Sequence, residues 1–400
     1  EAAKLLSNAK FPVILSGAGV VLADAIEDCK KIAEKLDAPV ACGYQHNDSF
    51  PGKHPLAIGP LGYNGSKAAM EIISKADVVL ALGTRLNPFS TLPGYGIDYW
   101  PKEAKIIQVD FNSDRIGLAK KISVGICGDA KLVAQQILSQ LSSTAGDRGR
   151  EDRKALIHQT KSAWLQTLTS LDHEEDDEGT TWNKDSRERD PDRMSPRMAW
   201  RAIQAGLPED AIISSDIGNN CAIGNAYPTF EQGRKYLAPG LFGPCGYGFP
   251  SVLGAKIGCP NTPVVGFSGD GAFGISMSEM TSCSREEWPN ITMVIFRNYQ
   301  WGAEKRNTTL WYDNNFIGTE LDPKLSYAKI AEACGSKGVL VKTQEELSEA
   351  IKISCEEQQK GITTFIEVIL NQELGEPFRR DAMKKPVEVA GISSSDMQVG

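Results

Sequence analysis

Short runs rich in Val, Ile and Leu alternate along this chain with longer stretches in which apolar residues return every three or four positions. Pro12-Val13-Ile14-Leu15 runs into Ser16-Gly17-Ala18-Gly19 and then into an amphipathic pattern over 23–36. Pro39-Val40-Ala41, Asp77-Val78-Val79-Leu80-Ala81-Leu82-Gly83, Lys105-Ile106-Ile107-Gln108-Val109-Asp110 and Val124-Gly125-Ile126-Cys127 follow, with a helical pattern over 129–141. Strands separated by helices at this spacing predict a parallel sheet covered on both faces. Residues 1–145 therefore predict a doubly wound α/β domain, a degenerate relative of the dinucleotide-binding fold.

Between 146 and 192 the rhythm changes. One helix is predicted over 152–171, and then comes His173-Glu174-Glu175-Asp176-Asp177-Glu178-Gly179. That run has neither the spacing of a calcium loop nor a second histidine, and it reads as a solvated charged linker. From Met194 the alternation resumes, with helices predicted over 196–205, 219–226, 250–257, 275–285, 326–334 and 344–355. Strands are predicted over 211–215, up to Ser268, and over 291–296, 338–341 and 363–370. Residues 193–372 thus predict a second doubly wound parallel α/β domain, and 373–400 a C-terminal arm.

Composition narrows the partners. With 41% hydrophobic and 24% charged residues the chain is of ordinary globular type, and its net charge of −8 argues against a sequence-independent grip on nucleic acid or on an anionic membrane. No apolar run approaches the roughly 20 residues that a membrane helix needs. The 9 cysteines are scattered and form no CxxC pair, the usage of a reduced cytoplasm. The chain opens on Glu1-Ala2-Ala3-Lys4-Leu5-Leu6, which reads as the inside of a helix, so an N-terminally incomplete chain is expected.

Candidate chemistry centres on Gly269-Asp270-Gly271-Ala272-Phe273-Gly274, where the strand 264–268 ends. In open parallel sheets ligands sit beyond the carboxyl ends of the strands, and glycines let backbone N–H groups approach an anion there. A helix predicted to begin near Gly274 points its positive end the same way. A carboxylate would repel a bare phosphate, and a divalent cation between the two resolves the conflict. The next strand ends at Phe296-Arg297-Asn298-Tyr299-Gln300, where Asn298 offers a neutral oxygen and an unwound carbonyl a third.

Gly269-Asp270-Gly271 followed at this spacing by Asn298, with the companion turn Gly246-Tyr247-Gly248-Phe249-Pro250, resembles the diphosphate and Mg²⁺ signature of thiamine-diphosphate enzymes. The segments 216–227, 243–248, 298–307 and 373–386, together with Gly179-Thr180-Thr181-Trp182-Asn183, resemble the sulfoacetaldehyde acetyltransferase family within the acetolactate-synthase-like branch. The resemblance implies that Asp270, the Asn298 side chain and the Gln300 carbonyl ligate Mg²⁺. It also implies that Gly269, Gly271, Ala272, Phe273, Cys245, Gly246 and Tyr247 border thiamine diphosphate. Asn219 either reaches the diphosphate or caps its own helix. The implied reaction converts sulfoacetaldehyde and phosphate to acetyl phosphate and sulfite in sulfonate breakdown. Both substrates are anions, for which Lys305, Arg306, Arg379 and Arg380 are candidate contacts.

The resemblance also implies a homodimer or homotetramer. The family's activating glutamate belongs to an N-terminal pyrimidine-binding domain not visible here, so this chain alone is expected to be inactive. Cys245 stands where related synthases carry a bulky apolar residue. The Gly17-Ala18-Gly19 turn lacks the third glycine of a dinucleotide fingerprint, because position 22 is Leu, and a flavin is not expected on it. The rival readings are another carboligase or 2-oxoacid decarboxylase and, from a different class, a non-catalytic assembly module.

Overall fold

The computed structural model describes residues 1–170, 186, 189–240 and 242–375. The acidic run 173–179, the segment 179–183 and the candidate arginines Arg379 and Arg380 lie outside the described residues. The first sheet is built from β1 (Pro12–Ser16), β2 (Val40–Cys42), β3 (Ala57–Pro60), β4 (Val78–Leu82), β5 (Lys105–Asp110) and β6 (Val124–Cys127), in the spatial order β3-β2-β1-β4-β5-β6. Every pairing is parallel, with Val13 opposite Val79 and Val79 opposite Ile106. Ile14, Val79, Leu80 and Ile107 are fully buried, as strands covered on both faces must be.

Chain direction across this sheet reverses between β1 and β4, and Gly17 and Gly19 stand there. A Cβ on Gly17 would lie 2.6 Å from the Gly83 oxygen, and one on Gly19 would lie 2.7 Å from the Gly83 Cα. These glycines let two backbone turns touch, the use expected of a tight turn without the third fingerprint glycine.

The second sheet comprises β7 (Ile212–Ser215), β8 (Tyr236–Leu237), β9 (Val264–Gly269), β10 (Thr292–Arg297), β11 (Lys337–Val341) and β12 (Thr364–Ile369), ordered β11-β12-β10-β9-β7-β8 and again parallel throughout. Its core lies on both faces. Trp200, Phe267 and Phe296 pack on one, and Phe249, Phe273 and Phe365 on the other. The direction reverses between β7 and β9, which places a ligand crevice at the ends of β7, β9 and β10.

Two helices of the second domain depart from expectation. The one predicted over 275–285 begins at Asp270, runs only to Ser276 and continues as a 3₁₀ turn, Met277–Thr281. Glycine's low helix propensity hides this start, and packing overrides it. The helix Gly302–Trp311 was not anticipated, because its sequence is polar nearly all round.

The sheets are joined through Asn225. Its Oδ1 accepts the Gln45 N–H at 3.1 Å, its Nδ2 donates to the Tyr63 oxygen at 3.1 Å, and its own carbonyl accepts from Asn47 Nδ2 at 2.9 Å. The helix Arg150–Ser170 runs alongside this joint. Near its start Arg153 is fully buried and donates to five backbone oxygens, those of Lys10, Leu36, Asp37, Gly146 and Arg148, at 2.7–2.8 Å. Near its end Trp164 and Leu168 pack with Ala68, Ala226 and Tyr227.

Candidate cofactor and metal site

Because β9 and β10 are paired in parallel, with Phe296 opposite Gly269, their next residues emerge side by side. This brings Asp270 and Asn298 together, 28 positions apart in the chain. The β7 end contributes Ile217, Gly218, Asn219 and Asn220 to the same narrow cleft, whose lining also includes Gly269, Gly271, Ala272, Cys245, Gln300, Trp301 and Glu304.

Asp270 is 1% exposed. Burial lifts its carboxyl group to about 6, against the opposing pull of the Arg297 charge and the hydrogen bonds it accepts. Oδ1 accepts the Gly271 N–H at 3.0 Å; Oδ2 accepts from Arg297 Nη1 at 3.0 Å and from the Tyr299 N–H at 2.7 Å. Tyr327 Oη donates to the Asp270 carbonyl at 2.8 Å.

The Asn298 side-chain amide lies 3.3 Å from Asp270 Oδ1 and from the Gln300 carbonyl on one side and 3.2 Å from Asn220 Nδ2 on the other. With its nitrogen toward the two oxygens it donates to both, and its oxygen accepts from Asn220. With its oxygen toward them instead, three oxygens converge with no hydrogen between them, and a cation would take the place of those hydrogens. Six-coordinate Mg²⁺ holds oxygens at about 2.0–2.1 Å, so ligands at right angles are about 3 Å apart, close to the spacing found. Among the described residues no group of three or more His, Cys, Asp or Glu side chains forms a metal cluster. A cation here would therefore rest on one carboxylate plus amide and carbonyl oxygens, a set that suits a hard ion that also binds ligand phosphate.

The residues singled out in the sequence divide into three groups. Gly269, Asp270, Gly271, Ala272, Asn298, Gln300, Cys245 and Asn219 line the cleft. Phe273 does not, since its ring is fully buried against Phe249 and Tyr327. Nor do Gly246 and Tyr247: the Gly246 N–H donates at 3.0 Å to Asp216 Oδ1, so this turn shapes the cleft from behind. Lys305 and Arg306 are buried outside the lining. Lys305 pairs with Glu320, while Arg306 donates to Asn219 Oδ1 at 3.1 Å and lies 4.7 Å from the Tyr63 ring centre. Burial lowers the Arg306 guanidinium to about 10. Asn219 does not cap its helix, which starts at Asn219 itself after Gly218.

Two residues escaped sequence reasoning. Asp216 is fully buried and accepts from the N–H groups of Ile217, Gly246 and Gly248 and from Ser268 Oγ, tying β7, β9 and the glycine turn together. Arg297 is a charged residue closing an apolar strand, a signal that was on view.

Comparison with known proteins extends this geometry. Residues 1–137 match the model for the thiamine pyrophosphate enzyme central domain, and residues 216–368 match that for the C-terminal TPP binding domain. A probable sulfoacetaldehyde acetyltransferase of Rhizobium meliloti (strain 1021) is 77% identical over 398 residues, covering 100% of this chain and 67% of the relative. The sulfoacetaldehyde acetyltransferase of Roseovarius nubinhibens is 72% identical, covering 100% of this chain and 66% of that protein. The chain belongs to the sulfoacetaldehyde acetyltransferase family. It spans about two thirds of the length of these relatives. A probable acetolactate synthase large subunit of Methanococcus aeolicus, 29% identical over 359 residues, covering 89% of this chain and 58% of that protein, marks a more distant branch. Within the sulfoacetaldehyde acetyltransferase family, then, the two sheets are a thiamine pyrophosphate enzyme's central and cofactor-binding domains, and the cleft beyond β9 and β10 lies in the latter.

Proposed function

We propose that this chain supplies the central and cofactor-binding parts of an acetyltransferase that converts sulfoacetaldehyde and phosphate to acetyl phosphate and sulfite. The observation that carries the cofactor half of this reading is the meeting of the Asp270 carboxylate, the Asn298 side-chain amide and the Gln300 carbonyl at the reversal point of the second sheet. The substrate half rests on the names of relatives 72% and 77% identical. When bound, thiamine diphosphate supplies the carbanion chemistry that breaks the carbon–sulfur bond.

The residues present have positioning and electrostatic roles. Asp270, Asn298 and Gln300 would hold Mg²⁺, and Gly271 and Ala272, which line the cleft, would border the diphosphate. Asn219 and Cys245 border the cofactor, with Arg306 fixing the Asn219 amide from below. Arg306 and Lys305 follow Glu304 of the lining, and with Arg379 and Arg380 they are our candidates for drawing in the anionic substrates. Nine cysteines, none of them disulfide-bonded, fit a cytoplasmic setting. Among the described residues no helix is long and apolar enough to cross a membrane. A homodimer or homotetramer follows the family pattern.

The decisive test uses the full-length enzyme with Mg²⁺ and thiamine diphosphate. Sulfoacetaldehyde should release sulfite only when phosphate is present, with acetyl phosphate formed in equal amount. Consumption of pyruvate with CO₂ release, and no sulfite, would assign the chain to the carboligase branch instead. Asp270→Ala should abolish metal-dependent cofactor binding in calorimetry, and unchanged affinity would remove the metal assignment.

A further inference from the structure

The two oxygens of Asp270 are not equivalent. Oδ1 accepts one backbone N–H and faces the Asn298 side-chain amide, whereas Oδ2 is occupied by the Tyr299 N–H and by the Arg297 guanidinium. Arg297 has no freedom to swing away. It is fully buried, its Nε lies 3.7 Å from Glu367 Oε1, and its Nη2 donates to the carbonyls of Asp322 and Leu325. Its guanidinium also lies 4.3 Å from the ring centre of Tyr299. Glu367 is held in turn by Ser326 Oγ at 2.7 Å and by the Ala328 N–H at 3.0 Å.

We infer that Arg297 is a positioning residue that makes Asp270 a one-oxygen ligand and so biases the metal site towards Mg²⁺ over Ca²⁺. Ca²⁺ favours six to eight oxygens at about 2.3–2.6 Å and often takes both oxygens of one carboxylate, whereas Mg²⁺ keeps six single oxygens at about 2.0–2.1 Å. A guanidinium 3.0 Å from Oδ2 fills a lone-pair direction on that oxygen and places a positive charge where a two-oxygen ligand would have to admit the ion. No other side-chain cation pairs with Asp270 among the described residues. This inference rests on reading the cleft as a metal–diphosphate site.

The experiment measures thiamine diphosphate binding to the full-length protein by calorimetry, without substrate, while Mg²⁺ or Ca²⁺ is titrated. The quantity read is the ratio of the half-saturating Ca²⁺ concentration to that of Mg²⁺. In Arg297→Met this ratio should fall about tenfold, because Oδ2 then keeps only one backbone N–H. Arg297→Lys retains the charge beside Oδ2, and its ratio should stay within about threefold of the parent. Should Arg297→Met fail to fold, Arg297→Gln, neutral but polar, takes its place with the same expected fall. A neutral variant that binds cofactor with an unaltered ratio, or loses both metals in parallel, overturns the inference and leaves Arg297 a structural residue. If the unmodified protein binds cofactor without any dependence on either metal, the reading of the site itself fails.

Discussion

Asp216 organises the cleft without lining it. Four donors converge on its carboxylate from β7, β9 and the turn before the helix Gly248–Gly258, so the shape of the glycine turn depends on one side chain. Removing a buried acceptor leaves its donors with nowhere to go. Asp216→Ala should cost roughly 2–4 kcal/mol in denaturant unfolding, with Asp216→Asn intermediate because a single amide oxygen remains to accept. Equal stability in all three proteins would mean that the turn holds itself. Asp270 and Asn298 were legible in the sequence because a metal–phosphate site demands a carboxylate and a neutral oxygen at adjacent strand ends. Asp216 was not, since what it touches is brought together only by the sheet, and Arg297 showed only as a charge closing an apolar strand, with its partners hidden.

The short helix Asp270–Ser276 and the helix Gly302–Trp311 meet where Gly271 touches Trp301. A Cβ on Gly271 would stand 2.9 Å from the indole ring, so this glycine sets how closely the two elements approach. Gly271→Ala should drive Trp301 out of place and weaken cofactor binding about tenfold in calorimetry, with a smaller loss in thermal stability. Binding that stays within twofold would show that the ring can move without consequence for the cleft. At this scale the apolar runs of β4, β5, β9 and β10 could be read off directly, since strands buried on both faces need continuous Val, Ile and Leu. The segments β3 and β8 could not: Ala57-Ile58-Gly59-Pro60 and Tyr236-Leu237 are too short to carry a period, and their partners define them.

The helix Arg150–Ser170 joins the two halves of the molecule, rooted in the first through Arg153 and resting on the second through Trp164 and Leu168. The sequence predicted that helix, but nothing in it announced that Arg153 would be buried, because an arginine on an amphipathic helix ordinarily faces water. All five N–H groups of its guanidinium are used, and lysine has only three. Arg153→Lys should therefore leave buried carbonyls without donors and cost about 2–4 kcal/mol in denaturant unfolding. The parent's stability in the mutant would place the hold of this helix elsewhere. The oxygens around Arg153 are peptide dipoles, while the neighbouring carboxylate of Asp37 pairs with Arg150 and Lys154. A charge balanced by dipoles in the interior feels little of the ionic atmosphere, which weakens exposed ion pairs beyond about 10 Å at 0.1 M salt. The strut between the two domains should hold as firmly in brine as in dilute buffer.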